Sequence, residues 1–566
     1  MKKIILSLMA AMVLFTGCDL LNNDPYDSFT KDNFFTSETN VEMYCNYFYS
    51  EWTGYGNGGG QGDFYYQWLN DNQVNTGIEP WGFKQVEATD GTWNACYQEI
   101  RRANILLDEV DNVDMPAASK AYYKSLARLY RGWQHFCLVR KFGDCYWVDK
   151  TLTTEDATIL YGKRHDRNTV MDNILVDLNY AVDSMGDMYA DSRTAYNVHV
   201  ANAMKSQVCL FEGTYAKYHL KDTERANKYL TEAKTASEAI IGNDEMFALT
   251  DGAEGYRANY NSLDLAGNTE MILYKKYEQN ILGHGLIAYN ASSTTTKGMS
   301  KDAFNAYLMA DGSLPTGDDH GTIGADGKPS IENLLALRDP RLAQQIDGFL
   351  CYRGNDRVRY EGMEGQEDAM SNTSTTGYGC CKFDNPAIPK GDRQTIGQNE
   401  TDAPIFWLAE ILLNHAEACA ELNKTAEATA SLNKLRVRVG MPTYVALNDP
   451  ANNAAEINGG TDVSDLVWEV RRERRVELMF DKNDRYWSLI RWHELERLDT
   501  DKYKDQTVGA WVADAWVTDP ELKRDNNGYI TCVSDYVRKF EDKHYLAPIP
   551  SGQISLNPEI GQNPGW

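Results

Sequence analysis

Histidine is scarce in this chain, with 9 among 566 residues. The nucleophile elbow GxSxG, the HExxH zinc motif and the GxxxxGK[ST] phosphate loop are absent, and no CxxC pair occurs among the 11 cysteines. Those absences remove the usual signatures of triad hydrolases, zinc peptidases, P-loop enzymes and zinc ribbons. His135, His199, His415 and His493 fall in helical patterns where a satisfied core imidazole is expected. Cys96, Cys137, Cys209 and Cys419 read as small buried hydrophobes. The vicinal Cys380 and Cys381 lie in a Gly-rich stretch, outside any framework spacing, and leave a redox pair as the alternative to buried thiols. DNNG near Asp525 and DG near Asp326 are turn signals that fall short of a calcium loop, so no metal or cofactor is expected.

Positive charge is also deficient. Lys and Arg total 56 against 82 Asp and Glu, a net charge of −26, which argues against nucleic acid or an anionic headgroup surface as a partner. The apolar run from Ile4 to Phe15 is too short for a hydrocarbon core, which needs about 20 residues. Lys2 and Lys3 precede it and Thr16-Gly17-Cys18 follows, so it reads as an export signal whose end resembles a bacterial lipobox. Residues 1–17 would be removed, Cys18 acylated, and residues 18–30 left as a tether. An ordinary secretory signal with a coincidental cysteine is the other reading.

Helical spacing dominates what remains. Apolar residues predict helices from Trp93 to Val110, Ala117 to Phe142, Thr169 to Met185, Val200 to Leu220 and Thr223 to Ile241. Gly132 is small enough to let two of them approach. The stretch ILLNHAEACAELNKTAEATASLNKLRVRVG adds two more helices around a short turn, with Ala416, Ala420 and Ala428 where tetratricopeptide-like pairs pack closely. Such helix pairs imply a stacked array that buries a core only in several copies. Residues 243–376 are rich in Gly, Ser, Thr, Asn and Asp, with short apolar runs such as EMILYKKY that read as strand and loop. Six glycines between Gly54 and Gly62 read as a mobile loop.

The stretch Trp468–Trp492, WEVRRERRVELMFDKNDRYWSLIRW, reads as helix without a solvent face, because apolar residues point nearly all round it. Glu469, Glu473 and Glu477 fall along one edge and Arg471, Arg474 and Arg475 round the other side, and the arginines should be paired with carboxylates or backbone carbonyls rather than hydrated, with a basic binding surface as the alternative. This run, followed by the terminal HYLAPIPSGQISLNPEIGQNPGW, resembles the closing signature of SusD/RagB-family lipoproteins. FTKDNFFTSETNVEMYCNYFYSEW resembles the family's opening, and WNACYQEIRRANILLDEV its first core helix. In KFGDCYWVD, Cys145 stands in the region where the family commonly has proline.

The resemblance implies a mainly α fold, a tetratricopeptide-like helical-repeat superhelix with irregular loop and short-strand insertions. It implies one domain over 31–566: a scaffold over 31–242 and 400–497, a ligand-facing insertion over 243–399, and C-terminal loops over 498–566. It further implies a surface-exposed outer-membrane lipoprotein that captures a glycan and delivers it to a TonB-dependent, SusC-like transporter, without enzymatic chemistry.

An oligosaccharide site needs an aromatic platform rimmed by groups that pair with hydroxyls. DNQVNTGIEPWGFKQ has that composition: Trp81 between Pro80 and Gly82, with Asp71, Asn72 and Asn75 as a polar rim. Packing of Trp81 on the scaffold is the alternative. Tyr289, in ILGHGLIAYNASSTT, is a second candidate ring. Two other functional classes remain open, a lipid-anchored glycan hydrolase and an envelope scaffold without a small ligand. The abundant carboxylates give no selective acid and nucleophile pair for the first.

Overall fold

The computed structural model of the chain describes residues 34–65, 69–75, 81, 85–291, 297–315, 331–348, 350–352, 358–359, 374–453, 457–512, 514, 517, 522–532 and 538–566. The expected signal, Cys18 and the tether lie outside the described residues, as do the residues on either side of Trp81.

Helix starts follow their capping side chains. α1 (Glu38–Cys45) begins at Ser37, whose hydroxyl accepts from the Asn40 amide. α2 (Gly91–Glu109) begins at Asp90, which accepts from Thr92 and Trp93. α3 (Ala117–Phe142) follows Pro116 and stops at Gly143, at φ 73°. α4 (Arg167–Ser184), α5 (Val198–Tyr215) and α6 (Thr223–Ile241) are capped by Asp166, Asn197 and Asp222. α2 packs on α3, α3 on α4, and α5 on α6. Gly132 lies in ordinary contact with Ile174 and Asp177 of α4, so it is not a tight crossing. The close approach is at Gly213, where a Cβ would meet Leu230 at 2.7 Å.

The chain then leaves the array through α7 (Gly252–Asn261) and returns in α8 (Leu408–Glu421) and α9 (Thr425–Arg438). Every residue of α8 is buried, because α5, α6 and α9 all pack against it. Among the described residues the strands form four two-stranded antiparallel ladders. β1 (Gln73–Asn75) pairs with β3 (Lys297–Met299), and β2 (Met271–Lys275) with β6 (Ala403–Trp407). β4 (Cys351–Tyr352) pairs with β5 (Val358–Arg359), and β7 (Val508–Trp511) with β8 (Tyr529–Thr531). The fold is mainly α, a helical-repeat array carrying short-strand insertions. β2 is the strand read from EMILYKKY.

Trp468–Trp492 is two helices, not one continuous helix. α10 (Asp465–Glu477) and α11 (Asp484–Arg491) flank a turn in which Phe480, Lys482 and Asn483 take positive φ. The expected ion pairs are present. Arg474 reaches Asp484 at 2.8 Å, and Arg471 reaches Glu494 at 2.6 Å and Glu421 at 3.4 Å. Glu477 accepts from Arg438 and Arg341, while Glu473 and Glu469 hold Arg436. These charges have little access to water, so each is tolerated only because its partner is in place. The lattice ties α10 to α8, α9 and the segment around Arg341.

Candidate functional site

Of the five predicted glycan-contacting residues, three belong to the scaffold. Asp71 is 2% exposed and accepts from Arg485 through both oxygens, at 2.7 and 2.6 Å. Asn72 is 4% exposed and accepts from Arg475 Nε at 2.8 Å. Both polar groups are consumed by the arginines of α10 and α11, so neither forms the rim expected of it. Trp81 takes the packed alternative. It is 9% exposed, stacks on His544 with ring centroids 4.2 Å apart at 18°, and donates its indole N–H to the Lys539 carbonyl. A ring covered by the C-terminal tail offers no free face to a sugar.

The other two lie on one connected stretch. Register in the β1/β3 ladder sets Asn75 opposite Lys297. The Lys297 ammonium lies 4.0 Å from the centre of the Tyr65 ring, and Tyr65 meets Tyr289 edge to face at 5.1 Å and 88°. Both tyrosine rings and Asn75 are half-buried. Tyr289 donates its hydroxyl to the Gly59 carbonyl at 2.9 Å, which fixes the ring by its polar end. Burial lowers the Lys297 ammonium to about 7, so it changes charge near neutrality.

Three loops hold these rings. Gly58 donates to Gly283 at 2.7 Å, and His284 exchanges backbone hydrogen bonds with Asn399. The glycine run is a hydrogen-bonded coil, with Gly56 donating to Thr53 and Gly60 to Asn57. Gly56 takes φ 93°, and a Cβ there would fall 2.0 Å from the Gly60 carbonyl; a Cβ on Gly62 would fall 2.2 Å from the Gly54 carbonyl. Ile396, 49% exposed, lies against Gly59 and Gly285 beside the Tyr289 ring. Asn57 and Gln279 are exposed on the same loops. The result is an apolar and aromatic cluster of Tyr65, Tyr289 and Ile396, of a composition that suits the apolar face of a pyranose. Tyr65 and Ile396 were missed in the sequence. The run of aromatics directly after the glycines, GDFYYQW, was the available signal for Tyr65.

Cavities also lie elsewhere. One of about 340 Å³ is lined by Arg472, Arg475, Arg485 and Arg497, whose guanidiniums are taken up by Asp449, Asp302, Asp71 and Glu494. A groove of about 770 Å³ runs between α2 and residues 146–160, lined by Trp93, Tyr97, Tyr146, Leu152, Ile159 and Leu160. Its tyrosine hydroxyls are spent internally: Tyr97 accepts from the Tyr146 amide, and Tyr146 donates to the Gly162 carbonyl. Cys380 and Cys381 are buried, and burial raises both thiols, which opposes the thiolate a redox pair needs. Among the described residues no helix is long and apolar enough to cross a membrane.

The sequence profile of the SusD family matches residues 211–566, and a second profile, described as starch-binding associating with outer membrane, matches residues 60–210. SusD-like protein P2 of Formosa agariphila is 23% identical over 492 residues, spanning 85% of this chain and 79% of that protein. A SusD-like carbohydrate binding protein from Bacteroides fragilis superposes with a TM-score of 0.69 at 20% identity, over 93% of this chain and 100% of that one. A laminarin binding SusD-like protein superposes with a TM-score of 0.55 at 18% identity, over 94% of this chain and 100% of that one. Two adjoining profiles that together run from residue 60 to the last residue, and a helical-repeat fold shared with these structures, lead to one conclusion: the chain belongs to the SusD family.

Proposed function

We propose that the chain is a cell-surface lipoprotein, anchored in the outer membrane through acylated Cys18, that captures a glycan and passes it to a TonB-dependent, SusC-like transporter. The observation that carries the binding step is the perpendicular Tyr65–Tyr289 pair, held to the glycine coil by the hydrogen bond from Tyr289 to Gly59. The reading is supported by family membership and by the laminarin-binding neighbour. No covalent step is invoked: the sugar stacks, its hydroxyls pair with amides, and it leaves intact. The insertion faces the ligand, and the helical-repeat scaffold meets the transporter.

On the scaffold, the groove beside α2 is lined by Trp93, Tyr97, Ile159 and the exposed Leu160, with the exposed Tyr161 next in sequence, an apolar surface suited to cover by a protein. Leu160→Glu should then reduce co-purification with the transporter while leaving glycan affinity unchanged; retained co-purification would remove this groove from the interface. The binding step is tested by calorimetry with laminarin and starch oligosaccharides. Tyr289→Ala should weaken binding by about 1–3 kcal/mol, the scale of a truncated anchor at a recognition surface. Unchanged affinity would remove this face from the site.

A further inference from the structure

Where α6, α8 and α9 meet, four side chains converge that glycan binding does not use. His415 and Cys419 lie one turn apart on α8, a spacing that sets both on one stripe of the helix. Glu427 comes from the first turn of α9, and Glu238 from near the end of α6. Cys419 Sγ is 3.4 Å from His415 Nε2 and 3.9 Å from a Glu427 oxygen, and His415 Nε2 is 3.7 Å from a Glu238 oxygen. The ligand atoms of His415, Cys419 and Glu427 all lie within 4.8 Å of one another. Ligands bound tetrahedrally to one ion at about 2.0–2.3 Å have separations of this order.

Two further features point to a cation. His415 Nδ1 is 2.8 Å from Ser431 Oγ; a proton on Nδ1 donated to that hydroxyl leaves the Nε2 lone pair facing the cluster, the orienting contact that metal-bound imidazoles use. A positive charge also already sits there. Lys234 Nζ bridges Glu238 at 2.6 Å and Glu427 at 2.8 Å. Both glutamates are exposed on one side, so an ion can enter, while His415 and Cys419 close the other side.

We propose that His415, Cys419 and Glu427 form a site for a borderline divalent ion of the zinc class, which staples α8 to α9, with Glu238 of α6 beside His415. Thiol and imidazole ligands select such an ion over calcium or magnesium. On binding, Cys419 releases its proton to solvent as the metal–sulfur bond forms, and the Lys234 ammonium leaves the two carboxylates.

The test is titration of the chelator-treated full chain with Co²⁺, then Zn²⁺. Expected are saturable thiolate-to-cobalt absorption that Zn²⁺ abolishes, and a rise in Tm with Zn²⁺. Cys419→Ser should lose the absorption, Glu427→Gln should bind at least about 10-fold more weakly as a lost ligand does, and Lys234→Met should bind more tightly because the competing ammonium is gone. Absence of the band in both wild type and Lys234→Met, or its persistence in Cys419→Ser, overturns the proposal.

Discussion

Arg485 donates Nε and Nη2 to the two carboxylate oxygens of Asp71, at 2.7 and 2.6 Å. The pair joins α11, near the C-terminal end of the scaffold, to the short segment that leads into β1. Arg475 of α10 adds a second contact to Asp71 at 3.4 Å and pairs with Asp302 at 2.6 Å. The arginine-rich signature thus does structural service at a distance: it pins the start of β1, whose far end carries Asn75 beside Lys297 and the tyrosine pair.

Replacing Asp71 by Asn leaves two buried guanidiniums short of charge, and should cost about 3–5 kcal/mol in chemical denaturation. Burial alone would raise the Asp71 carboxyl, but Arg475 and Arg485 outweigh it and hold it well below the ordinary carboxylate range. Because the folded value lies below the unfolded one of about 3.9, this contribution is present above that pH and is lost as pH falls below it. A wild-type acid limb steeper than that of Asp71→Asn is the expected observation.

Trp81→Ala should behave as a packing mutation. Loss of the stack on His544 and of the bond to Lys539 should lower stability by about 3 kcal/mol, with glycan affinity unchanged in the folded protein. Differential scanning calorimetry and a binding titration on the same sample check both parts.

Lys297 makes stability depend on alkaline pH. Its ammonium is lowered by burial to about 7, against about 10.4 in an unfolded chain. As pH falls from about 10 to 7 the unfolded chain takes up the proton first, so the fold loses stability; below about 7 both states are protonated and the cost is constant. Lys297→Met should remove that slope and raise stability at pH 6, as measured by urea midpoints across the range.

The scaffold was legible in sequence because helical period and capping agree locally: α6 spans Thr223–Ile241 as read, with Asp222 in place to cap it. The ion pairs of α10 were legible because its apolar residues leave no face for hydrated arginine. The break at Phe480–Asn483 was not, since Phe480 and Lys482 take positive φ, which residues of those types rarely adopt. The site was legible only in part. Trp81, Asp71 and Asn72 have the composition of a sugar site, and only tertiary partners from residues 475–544 reveal them as structural. Tyr65 and Ile396 join Tyr289 through contacts across more than a hundred residues, which local pattern cannot foresee.

The proposed function is capture without bond cleavage at the tyrosine pair. The most direct measurement is calorimetric titration of wild type, Tyr289→Ala and Tyr65→Ala with laminarin and starch oligosaccharides, with reducing ends assayed in the same samples. Expected are saturable binding by wild type to at least one of them, affinity reduced at least about 5-fold in each variant, the lower end of what a stacked ring contributes, and no new reducing ends. New reducing ends, or variants that bind as tightly as wild type, would contradict it.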